Sequence, residues 1–236
     1  IFSNGFRFKL KDKGDNSDLG YIVPYWIDDI PPYVDSDLTN IVLPLRRNLQ
    51  QELYKFKKIS PELLLFLNKL KVVEIHNLSD GETIKIQRND RPTHVEISHK
   101  DANYKWKVIS NFISIEDVEE ESRQDIDETE IALGFPLLED GSADTHQECD
   151  VYAYLPPQPY GFKFIVQADF LVPTSREKIH EDREWNKHLR DGIALVFEKS
   201  VEQFKNDPAI CKTFYNYIPL KNEIRDNFFT LVVDQI

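Results

Sequence analysis

Three stretches of two-residue alternation, at residues 83–87, 93–98 and 104–113, constrain the fold of this chain more than any other feature. A period of two sends successive side chains to opposite faces, which is the pattern of half-buried strands. Further strands are predicted at 130–138, 151–155 and 162–170. A long helix is then predicted at 185–204, with Leu189, Ile193, Val196, Phe197, Val201 and Phe204 on one stripe. Residues 208–236 read as helical with one break at Pro219. Strands first and helices afterwards predict an α+β layering, an antiparallel sheet followed by helices.

The preceding residues carry a different order. Strands are predicted at 2–10, 21–26 and 40–45, and a short helix at 50–58. Ser60 and Pro61 then read as the cap and first position of a helix over 62–70, followed by a strand at 72–76. The change of pattern predicts two units: residues 1–78, and residues 79–236 beginning at Ser79-Asp80-Gly81.

Composition narrows the function classes. No apolar run approaches the roughly 20 residues that span a bilayer, so no membrane partner is expected. The 41 acidic and 29 basic residues leave a net charge of −12, which argues against broad binding to nucleic acid. Cys149 and Cys211 show no metal or redox spacing and read as free thiols of a reducing compartment, cytoplasmic or nuclear. The six histidines form no H-x-x-x-H pair, and the carboxylates from Glu116 to Glu128 lack the spacing of a calcium loop, so no metal site is expected. That acidic stretch reads as a mobile loop, and Lys55, Lys57 and Lys58 as a solvated helix face.

The chemically loaded stretch is Asp169-Phe170-Leu171-Val172-Pro173-Thr174-Ser175-Arg176-Glu177-Lys178. It leaves a strand and is expected to open a helix, with Thr174 or Ser175 accepting the free N–H groups and Glu177 and Glu181 suiting the positive end of the helix dipole. Arg176 is out of place there, because a cation in the first turn opposes the dipole. An anion must offset it. Glu177 or Asp182 would do so as a surface pair, and a phosphate would do so as a ligand.

This string, with Asp182-Arg183-Glu184-Trp185-Asn186 after it, resembles the middle domain of GHKL-type ATPases of the sacsin and NO VEIN group and, more remotely, the ninety-kilodalton heat-shock chaperone. The resemblance implies that Arg176 reaches the terminal phosphate of ATP held by a neighbouring domain, flanked by Ser175 and Glu177. It places Trp185 and Asn186 in the turn after that loop; read as residues alone, they are a buried aromatic anchor and a local hydrogen bond. Thr39-Asn40-Ile41-Val42-Leu43-Pro44-Leu45-Arg46 resembles a late strand of the GHKL nucleotide domain, which brings Thr39 into the cofactor set, although Leu38 stands where a glycine is usual. Ile1-Phe2-Ser3-Asn4-Gly5-Phe6-Arg7-Phe8 resembles the strand after the glycine-rich lid. The implied fold is the C-terminal half of a GHKL nucleotide domain over 1–78, then a sheet-plus-helices domain of the ribosomal-protein-S5-like type over 79–236.

The family's metal-binding helix and its glycine-rich motifs do not occur among these 236 residues, which hold 8 Gly and no Met. The expectation is therefore a fragment that starts just after the lid. ATP and Mg would belong to the longer protein, and this stretch alone would neither bind nor hydrolyse them. Two functions stay open: a chaperone-like or switch ATPase acting on protein clients, with dimerisation of the longer protein, or a noncatalytic interaction module that keeps the fold without turnover.

Overall fold

The structure, a computed structural model, describes every residue except 11–23, 36, 43–58, 68, 78–80, 116, 117, 119, 154 and 174–177. The chain divides into two compact units, Ile1–Lys55 and Phe56–Ile236. The division expected at residue 78 is thus not where the chain separates. Residues 72–76 bond into the large sheet of the second unit, and the turn at 61–65 packs on that same sheet.

In the first unit, β1 (Phe2–Ser3), β2 (Phe6–Lys9) and β3 (Tyr25–Trp26) form an antiparallel sheet in that order. The single strand expected over 2–10 is a hairpin. Asn4 and Gly5 both take positive φ, 47° and 81°, as the two-residue turn that matches strand twist requires. Asn40, expected to begin a strand, makes one bridge to Phe2. The expected helix at 50–58 and its lysine cluster lie outside the described residues.

The second unit is α+β. Its strands are β4 (Val72–His76), β5 (Thr83–Asp90), β6 (Val95–His99), β7 (Ala102–Ser114), β8 (Glu128–Leu137), β9 (Asp150–Ala153), β10 (Leu155–Pro159) and β11 (Ile165–Gln167). They form one sheet in the order β10-β9-β11-β8-β7-β6-β5-β4. Seven pairings join the eight strands; six are antiparallel, and β11 runs parallel to β9. Pro156, Pro157 and Pro159 fall on the edge strand β10, where a missing N–H costs least.

Each face of the sheet has its own core. Helix α1 (Glu184–Lys205) lays Trp185, Leu189, Ile193, Val196, Phe197 and Phe204 onto one face, with helix α2 (Asn227–Val233) beside it. Phe135 sits at the centre of that core, meeting Phe204 edge-on and Phe164, Phe197 and Tyr217 at tilted angles. Gly192 permits the close approach, since a Cβ there would lie 2.7 Å from Ile131 and 2.8 Å from Ile113. The other face buries Ile84, Ile86, Ile97 and Trp106 beneath Leu64 and Leu65. Those leucines belong to a single 3-10 turn, Pro61–Leu65, in place of the helix expected over 62–70. Pro61 starts it as expected, but the Ser60 hydroxyl donates to the Glu62 carboxylate rather than capping the backbone.

Candidate functional site

The chain leaves the sheet at β11 and returns at α1, and between them lies the Pro-Thr-Ser-Arg-Glu stretch. Thr174, Ser175, Arg176 and Glu177 themselves lie outside the described residues. What the structure defines is the base on either side of them, up to Pro173 and from Lys178 onward.

Asn186 is the centre of that base. It is fully buried in the first turn of α1. Its Oδ1 accepts from Leu171 N at 2.8 Å, and its Nδ2 donates to the carbonyls of Leu171 and His180, each at 2.8 Å. His180 N also donates to Leu171 O at 3.1 Å. The two ends of the 171–180 segment are therefore pinned to each other and to one side chain. The Ile179 side chain, buried at 5% exposure, anchors the returning limb in the main core. A primary amide suits this task because it offers one acceptor and two donors in a fixed plane.

Trp185 extends the base toward the sheet. Its ring is fully buried, and Nε1 donates to the Asp169 carbonyl at 2.8 Å. The Asp169 carboxylate takes a two-pronged grip from Arg123, at 2.8 and 3.1 Å, and the same guanidinium lies over the Trp185 ring at 5.7 Å. Arg123 comes from the acidic stretch. There the 3-10 turn Glu121–Arg123 and buried Glu120, whose carboxylate accepts from Ser122 and pairs with Arg183 at 3.5 Å, give fixed contacts to part of the stretch expected as a mobile loop; its residues 116, 117 and 119 lie outside the described residues.

Two other expectations change here. Helix α1 begins at Glu184, with Arg183 in extended backbone before it and no side-chain cap. Thr174 and Ser175 are thus not its caps, and Arg176 is not in its first turn. The conflict between Arg176 and the dipole of this helix disappears, and with it that reason to demand an anion. Around the start of α1, Arg183 pairs with Glu120 and Lys187 with Glu184.

Thr39 lies in the first unit, exposed, with its hydroxyl 2.6 Å from that of Ser3. The loop base belongs to the second unit.

The remaining reactive groups offer little chemistry. Burial pushes the Cys149 thiol far up, and the surrounding carboxylates push it further, so little thiolate forms near neutral pH. Asp150 is raised by burial and by Glu62 and Glu148, which line the same cleft of about 280 Å³. Among the described residues no three His, Cys, Asp or Glu side chains gather to hold a metal, and no helix is long and apolar enough to cross a membrane.

Sequence reasoning found Trp185 and Asn186 as anchor and hydrogen-bonding residue but missed the Arg123–Asp169 pair, which joins residues 46 apart in the chain. The signal available was a lone Arg inside an acidic run, a charge that asks for a counterion elsewhere.

No protein-family model and no solved structure matches the chain. Across 98% of its length it is 28% identical to Protein NO VEIN of Arabidopsis thaliana, and it spans 9% of that protein's length.

Proposed function

We propose that this chain is part of a longer ATP-binding, chaperone-like or switch protein of the GHKL type. In this reading the first unit ends the nucleotide domain, the second is the middle domain, and Arg176 senses the γ-phosphate. The similarity to NO VEIN along nearly the whole chain supports the family assignment. The observation that carries the site is the Asn186 clamp on Leu171 and His180. A side chain that must meet a phosphate held by another domain needs a stalk of fixed position, because small displacements of a charged group weaken transition-state contacts steeply. Three hydrogen bonds from one buried amide, plus the Trp185 and Arg123–Asp169 contacts, provide such a stalk. Ser175 and Glu177 flank the arginine, Thr39 lies on the nucleotide-domain side, and Mg and ATP belong to the longer protein.

The test is Arg176→Ala in that longer protein. Turnover should fall about ten- to a hundredfold, roughly 1.4–2.7 kcal/mol of barrier, with ADP affinity and melting temperature unchanged. Arg176→Lys should recover little, because a point charge does not reproduce the planar fork. Wild-type turnover in a stably folded Arg176→Ala protein rejects the phosphate role and leaves the noncatalytic interaction module.

A further inference from the structure

Strand β7 has 13 residues and its neighbour β6 has 5, so the two edges of β7 are unequally used. On one side β8 pairs with it from Lys105 to Ser114. On the other, β6 pairs only from Ala102 to Trp106. In an antiparallel pair, alternate residues turn both backbone groups toward the partner. Ile115 N donates to Asp127 O in the β7–β8 register, so the odd-numbered residues face β8. Val108, Ser110 and Phe112 therefore turn their N–H and C=O groups to the side that β6 has left. Among the described residues only one of these groups is occupied: the Phe112 carbonyl accepts from the Asn111 side chain at 2.8 Å. Ser110 is exposed, and Phe112 is 57% exposed.

The surroundings carry a sign. Glu130 and Glu128 of β8 stand opposite Phe112 and Ser114. On the other face, a cleft of about 870 Å³ between β7 and α1 is lined by Glu198 and Glu202. All four carboxylates are exposed, and no cation among the described residues pairs with them. Lys199 is the cation lining that cleft, His188 Nε2 donates to the Ser114 carbonyl at 2.7 Å, and Asp191 is held by Arg190. Leu195, 56% exposed, gives the cleft an apolar wall.

We propose that the β7 edge from Val108 to Phe112 is a docking site for an extended, basic segment of a partner protein, which adds to the sheet as a strand. Main-chain hydrogen bonds to Val108, Ser110 and Phe112 supply the register. One face of the added strand meets Phe112 and Glu130 and the other meets Leu195, Glu198 and Glu202, so in either register its lysines or arginines find glutamates and its apolar side chains an apolar neighbour. A second copy of this chain is the wrong occupant, since at net charge −12 it brings like charge to an acidic edge.

The probe is a capped nine-residue peptide of alternating lysine and valine, added to the 236-residue chain, with amide hydrogen exchange read by NMR. The expected result is exchange slowed at least tenfold at Val108, Ser110 and Phe112, and unchanged at Ile109 and Asn111, whose amides already face β8. The same peptide N-methylated at every residue, or with glutamate for lysine, should give no slowing. Ser110→Pro removes an outward N–H that β8 does not use and should weaken peptide binding tenfold or more. If that variant misfolds, the N-methylated peptide still decides. Three results overturn the proposal. One is no slowing with the lysine–valine peptide. Another is equal binding of the N-methylated peptide, which is charge attraction alone. The third is slowing that appears without peptide as protein concentration rises, which makes the edge a contact between copies.

Discussion

Leu171 and Ser110 both present backbone polar groups beside the large sheet of the second unit, and they are treated in opposite ways. At Leu171 the N–H and C=O are both taken by Asn186, and the carbonyl also accepts from His180 N. At Ser110 neither group has a partner among the described residues, because β6 stops at Val95, opposite Trp106. Buried backbone must be satisfied or the fold suffers, whereas exposed backbone is satisfied by water and stays available. The first treatment fixes a position; the second leaves one open to a partner.

Asn186→Ala gives the largest test of that contrast. It strands the Leu171 N–H and the His180 carbonyl, while the Leu171 carbonyl keeps the His180 N–H, and should cost about 2–3 kcal/mol, read as a shift in urea midpoint. A loss below about 1 kcal/mol would mean that water replaces the amide, and the base would not be the fixed element described. Trp185→Phe keeps most of the buried ring but deletes the donor to the Asp169 carbonyl. Its expected cost is about 1–2 kcal/mol in the same assay.

A smaller effect comes from the partly buried pair at the root of the β7 edge. Lys107 Nζ donates to the Asp207 carboxylate at 2.8 Å and holds its pKa below the ordinary value. A depressed folded pKa gives stability that is fully present above the unfolded value, near 4, and lost as pH falls through the folded value. Lys107→Gln should remove that acid-side loss and cost up to about 1 kcal/mol at neutral pH, with water screening keeping it low. Unfolding curves recorded at pH 6 and in the acid limb decide it. Phe112→Ala, on the open edge, should change stability by no more than about 0.5 kcal/mol. A cost of several kcal/mol there would show the edge to be part of the core, and the contrast would fail.

Much of this fold is legible in the sequence, and for identifiable reasons. The strand at 72–76 matches its predicted limits, and α1 lies within a residue of them, because period two and period 3.6 report burial directly. The β1–β2 hairpin is encoded in the string Asn4-Gly5, a turn signal that the apolar alternation of its flanks masks. Insertion of β11 between β8 and β9 is a pairing across distant segments, which no local pattern encodes. Thr174 and Ser175 are good capping residues, which favour a helix start without requiring one, and α1 starts at Glu184, where Trp185 and Asn186 lock into the loop base. Asn186 was visible as a hydrogen-bonding residue, but its partners lie 6 and 15 residues away, so its role as a clamp needed the folded chain.

The most direct measurement is hydrogen exchange across residues 171–180 in the longer protein, with a nonhydrolysable ATP analogue and then with ADP. Slowed exchange at 174–177 with the ATP analogue alone, and Leu171 and His180 amides protected in every state, is the expected result. Equal exchange at 174–177 with both nucleotides would contradict the γ-phosphate role of Arg176, and fast exchange at Leu171 would contradict the clamp that is meant to hold it.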